Sequence, residues 1–176
     1  MVHTGSRHLG EEVAEHYTKL ASAFLKGQGL EVPYYLSYLE GEEKENYLED
    51  VQVIQDYAET NRQIIVREIL KGMKWKAADQ FSVAHNYLDA SGMLRKGAIA
   101  AGKGDRVVIP ANMRDGIILG LGLGNADWNN SAPHGSGRRL KREDVKDRYT
   151  VSDFKKEMDG IYSSCVGADT LDEAPF

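Results

Sequence analysis

An α+β fold follows from two features of the sequence. Up to about residue 74, apolar residues recur with the 3.6-residue period of amphipathic helices. Beyond it, short apolar runs alternate with glycines, and ten of the 18 glycines fall between Gly92 and Gly137. The length of 176 residues, with 41% hydrophobic and 28% charged residues, predicts one domain (1–176) able to bury its own core. Within it, 1–74 reads as a mainly helical part and 75–176 as a strand-and-loop part.

In chain order, the first helix is expected over Glu11–Lys26. Its stripe is Val13, Ala14, Tyr17, Leu20, Ala21, Phe24 and Leu25, stopped by Gly27 and Gly29. The second spans roughly Glu43–Leu70, with Leu48, Val51, Ile54, Tyr57, Ala58, Asn61, Ile64, Ile65 and Ile69 on one stripe. Asn61 breaks that apolar stripe: it is either a helix polar group satisfied locally or one aimed into a site. Short strands are expected at Phe81–Ala84, Ala98–Ala101, Arg106–Ile109 and Gly116–Leu121. Thr150 followed by Asp153 predicts a capping box that opens a helix over Val151–Met158.

Composition narrows the function classes. One cysteine excludes an intramolecular disulfide framework and a Cys-rich zinc module, and Cys165 is expected to be a buried thiol. The N-terminal residues lack a signal-peptide pattern and no window predicts a membrane span, so a cytoplasmic setting is the expectation. The net charge of −5 argues against a globally basic nucleic-acid coat. Charge is uneven, however. Glu31–Glu59 holds nine acids and one lysine, whereas Arg138–Arg148 holds six bases and three acids. A phosphate-rich partner would meet the second stretch.

The densest chemical signal is Asn129–Arg139. His134 lies between Pro133 and Gly135, with Ser136, Gly137 and Arg138 beyond. Pro restricts the approach, the glycines let backbone amides face an anion, and Arg138 offers a bidentate fork. A neutral imidazole so placed could attack phosphorus, act as a general base, ligate a metal or merely space the loop. His3, in Val-His-Thr-Gly-Ser-Arg ahead of a helix, fits a phosphate site. His85 is expected at the end of a short strand and is a possible metal ligand. The glycine run Gly116–Gly124 has neither the dinucleotide-binding nor the P-loop spacing.

Taken in order, several segments resemble the RtcB family of RNA-splicing ligases. They are His3-Thr4-Gly5-Ser6-Arg7, Gln55-Asp56-Tyr57-Ala58 with Asn61-Arg62, Val83-Ala84-His85-Asn86, Arg95-Lys96-Gly97-Ala98, Ser131 to Arg138, and Leu171-Asp172-Glu173-Ala174-Pro175. The resemblance implies a partial RtcB-like fold: two or three helices packed on short mixed strands, with glycine-rich loops at a nucleotide site. It implies GTP- and manganese-dependent joining of an RNA 3′-phosphate or 2′,3′-cyclic phosphate to a 5′-hydroxyl, with His134 carrying the guanylate. It further implies His3 and His85 as manganese ligands. Nucleotide contacts would come from Asn61, His85, Arg95, Lys96, Pro110, Ala111, Asn112, Met113, Gly135, Ser136, Gly137 and Arg138. Leu94, Ala111, Asn112 and Ser136 depart from the family's usual His, Gly, Ser and Ala. The family's Asp-x-x-Cys metal motif and its Gly-Gly-Gly-Asn-His segment have no counterpart here, which implies a chain truncated relative to the family. The expected partners are therefore RNA, GTP, a companion polypeptide supplying the rest, and a second copy through exposed strand edges, with no membrane. The alternative is a non-catalytic RtcB-like domain that binds nucleotide or RNA.

Overall fold

The computed structural model describes residues 1–89 and 91–176. The α+β class holds: helices dominate the first of two compact units, Met1–Ser82, and short strands the second, Val83–Phe176.

In the first unit, α1 (His8–Gly27) and α2 (Gly41–Met73) are joined through a 3-10 turn at Tyr34–Leu36. Both helices run a few residues beyond the stripes that predict them. Contacts fix their antiparallel pairing. Thr4 meets Arg62, Gly10 faces Ile54, and Tyr17 meets Tyr47 and Asp50. α1 buries Tyr17, Ala21, Ser22 and Leu25. The Tyr17 hydroxyl donates to Asp50 Oδ2 at 2.7 Å, and that bond, with burial, pushes the phenol up to about 12. α2 buries only Ala58, so its long stripe is half covered.

The second unit is built from antiparallel strand pairs. β1 (Tyr87–Leu88) pairs with β2 (Leu94–Arg95), and β3 (Ala98–Ala100) pairs with β6 (Ser131–Pro133). β4 (Arg106–Asn112) and β5 (Gly116–Leu121) form a hairpin with an irregularity between Pro110 and Asn112. Two apolar clusters support them. Ile99, Ala101 and Val107 pack with Val83, Ile109 and Ala132. Val145, Phe154, Met158, Leu171 and Ala174 join α3 (Arg142–Arg148), α4 (Val151–Glu157) and the 3-10 turn Ala168–Glu173. The Thr150–Asp153 capping box opens α4, and the Thr150 bonds hold the Asp153 carboxyl below its ordinary value.

Two expectations need correction. Phe81–Ala84 is irregular rather than a strand, although Val83 packs into a core cluster. Cys165 is exposed: in its loop it is the neighbouring Val166 that packs against the Val145–Phe154 cluster. Apolar β5 is exposed along its whole length, since the hairpin sends only β4 into the core. Among the described residues, no helix is long and apolar enough to cross a membrane.

Gly122 is buried where the chain leaves β5. A Cβ there would lie 2.2 Å from the Gly102 carbonyl oxygen and 2.5 Å from Ala101 carbon. Backbone cannot yield as a flexible side chain does. Gly122→Ala should therefore cost about 1–3 kcal/mol, read as a lower urea midpoint. Glu59 supplies a pH test. Burial alone would raise its pKa, but hydrogen bonds from Ser82, Arg62 and Gln63 bring it below the ordinary value. A lowered folded pKa means that this contribution is complete above the ordinary glutamate range and is lost as pH falls through the folded value. The stability gap between the parent and Glu59→Gln, about 1 kcal/mol or less after solvent screening, should be present at neutral pH and close in acid. A gap that widens in acid would contradict this assignment.

Candidate functional site

The site grows from a single peptide. β6 brings the chain alongside β3, and the next residue, His134, donates its backbone N–H to the Gly97 carbonyl at 3.3 Å. Gly97 in turn donates its N–H to the Asn86 side-chain oxygen at 2.7 Å. Gly97 adopts φ +66°, a left-handed conformation that side chains disfavour. Asn86 is also left-handed, at φ +55°, which ends extended backbone between His85 and β1. His85 therefore stands just before a strand, not at the end of one.

These links bring the two imidazoles together. The His85 and His134 rings meet edge to face, with centroids 5.1 Å apart and planes at 62°. Both residues are half-buried. The loop beyond His134 is pinned to β4. Ser136 N–H donates to the Pro110 carbonyl at 3.3 Å, and its hydroxyl donates to the Ala111 carbonyl at 2.8 Å. Gly135 lies close under Pro110, where an added Cβ would sit 3.3 Å from that carbonyl.

The remaining second-unit candidates take different places. Arg95 is 8% exposed. Its guanidinium donates to the Asn129 carbonyl at 3.1 Å, to the Ser131 hydroxyl and to Asp89 at 3.2 Å. It braces the strand that carries His134. Hydrogen bonds from Ser91 and Met93, with the Arg95 charge, hold the Asp89 carboxyl low. Lys96 is exposed. Asn112 caps the β4–β5 turn: its oxygen accepts from the N–H groups of Arg114 and Asp115, and its amide donates to Asp115. Met113 packs on the α3–α4 cluster. Arg138 donates to the Asp172 carbonyl at 2.6 Å and to Glu173 at 2.5 Å.

His3 and Asn61 belong to the first unit. There Arg62 donates to the Thr4 carbonyl at 3.2 Å and to Glu59 at 2.6 Å, tying the His3–Arg7 segment to α2 beside half-buried Asn61. Among the described residues, no group of three or more His, Cys, Asp or Glu is arranged to hold a metal ion. Two imidazoles are fewer donors than a manganese ion takes from a protein that holds it firmly, so these residues do not make a manganese site by themselves.

Sequence reasoning missed the fastening roles of Gly97, Ser136 and Arg95, and the ion pairs of Asp172 and Glu173. The acids had a visible signal: a carboxylate pair in a chain whose bases concentrate at Arg138–Arg148.

Comparison with known proteins bears on this geometry. The chain is 28% identical over 198 residues to the RNA-splicing ligase RtcB of Escherichia coli K12, covering 100% of this chain and 48% of that protein. It is 29% identical over 197 residues to the tRNA-splicing ligase RtcB of Pyrobaculum aerophilum, covering 90% and 41%. With its counterpart from Aeropyrum pernix the identity is 29% over 207 residues, covering 92% and 42%. The chain thus spans about half the length of the curated relatives it matches, or somewhat less. The family model described as tRNA-splicing ligase RtcB matches residues 1–176, and the chain belongs to the RtcB family.

Proposed function

We propose that this chain carries the nucleophile-bearing part of an RtcB-type RNA ligase. The observation that supports this most directly is the fixed His85–His134 pair, with His134 held at the mouth of a glycine-rich loop. In the proposed reaction an imidazole nitrogen of His134 attacks the α-phosphorus of GTP, and pyrophosphate leaves. The guanylate passes from His134 to the 3′-phosphate of an RNA, freeing the imidazole. The 5′-hydroxyl of a second RNA end then attacks that activated phosphate, and GMP departs.

The chain's own residues contribute position. The Gly97 carbonyl fixes the His134 backbone, and the His85 ring limits where the His134 ring can turn. The Gly135–Gly137 backbone leaves room for a phosphate to approach. Manganese, which the family resemblance implies, needs donors beyond His85 and His134. The proposal therefore includes a further RtcB-type segment, in the same polypeptide or a companion one, that supplies them. The lack of a three-donor group among the described residues favours a second reading, in which the chain binds nucleotide or RNA without catalysis.

One measurement separates the two readings. The chain, together with the RtcB-type segment that supplies the remaining donors, is incubated with GTP labelled in its α-phosphate and with manganese, then digested and mapped by mass spectrometry. The expected result is a GMP increment on His134 that is absent from His134→Ala. Label retained in that variant assigns the nucleophile elsewhere, and nucleotide binding without any increment favours the non-catalytic reading. A second variant tests the fastening. Gly97→Ala puts a side chain at φ +66°, at a cost of about 1–2 kcal/mol. It should lower the urea midpoint and slow, without abolishing, attachment of GMP to His134.

A further inference from the structure

The basic stretch after His134 does not present bare arginines. Arg138 Nη2 meets Glu173 Oε2 at 2.5 Å, and Arg142 Nη2 meets Glu173 Oε1 at 2.5 Å. Arg142 Nη1 also meets Asp172 Oδ2 at 3.1 Å, and Arg138 Nη1 donates to the Asp172 carbonyl at 2.6 Å. One carboxylate thus spans two guanidinium groups, each of its oxygens taken by a different arginine. A phosphate would use the same fork in the same way. Arg138 lies four residues beyond His134, within about 14 Å of extended chain, on a loop whose middle is pinned at Ser136.

We propose that Glu173 is an internal competitor for the anion that Arg138 receives, so that a triphosphate entering the His134 loop must first displace the Glu173 carboxylate. The inference rests on the reading of that loop as a nucleotide site. The side chains involved are 20–60% exposed, so the ion pairs are weak enough to exchange. The turn that carries Glu173 is anchored by Leu171 and Ala174 in the α3–α4 cluster, so the carboxylate stays close after it lets go. Two positive charges on the segment that follows the candidate nucleophile are thereby neutralised until a more highly charged anion arrives. Glu173 acts through Arg138 and is a positioning residue in this scheme.

The test is calorimetric titration of the chain with inorganic triphosphate at low ionic strength, which requires no turnover. Glu173→Gln keeps the shape and removes the charge, and it should tighten binding by about two- to tenfold, the size expected for an exposed ion-pair partner. Arg138→Gln should weaken binding, and the double variant should bind no better than Arg138→Gln. Asp172→Asn leaves both Arg138 bonds in place and should change binding less than Glu173→Gln. Should Glu173→Gln fold poorly, Glu173→Asp, which withdraws the carboxylate by one methylene, should shift affinity in the same direction. A purely structural Glu173 predicts weaker binding or none of these gains. Unchanged or weaker binding by both Glu173 variants, with Arg138→Gln still impaired, overturns the competitor and leaves the anion site standing. Binding indifferent to Arg138, or absent from every variant, overturns both. A chain that binds triphosphate as expected yet acquires no GMP loses the proposed reaction and keeps the competitor.

Discussion

One left-handed peptide organises the second unit. Gly97 accepts from His134 through its carbonyl and donates to Asn86 through its N–H, so two loops distant in sequence close on a single residue. The His85–His134 contact follows from that closure. Each link is an ordinary hydrogen bond worth about 1 kcal/mol, and neither would hold a flexible loop alone. They act together because β3 and β6 are already paired on either side of them, and that pairing rests on the Ile99–Val107 cluster.

Arg95 shows how the same unit spends charge on shape. Its guanidinium is buried and joins the Asp89 turn, the Asn129 carbonyl and the Ser131 hydroxyl. A buried arginine needs this many acceptors, because an unpaired charge in an apolar surrounding costs several kcal/mol. Arg138 illustrates the other use. Its partners, Glu173 and the Asp172 carbonyl, belong to half-buried residues, and its fork ties the His134 loop to the turn that carries them.

Periodicity located the long helices, since burying one face imposes a repeat that survives in the sequence, whereas apolar runs set between glycines located the strands of the β4–β5 hairpin. The Thr150–Asp153 box was equally readable, because capping is local chemistry. The two-residue strands β1 and β2 and the seven-residue α3 escaped, being too short to establish any period. Phe81–Ala84 misled because a short apolar run serves an irregular segment as well as a strand, provided one residue such as Val83 reaches the core.

The residue types around His134, and their resemblance to RtcB ligases, were set by the sequence, because a histidine among glycines, a proline and arginines carries its chemistry wherever it folds. The sequence also determined the uneven charge and the single thiol. Tertiary structure alone decided which histidine His134 would touch, which arginine would be buried as a brace, and that carboxylates from the end of the chain would face Arg138. Those outcomes depend on contacts between residues 34–49 positions apart, and no local pattern encodes a pairing of that range.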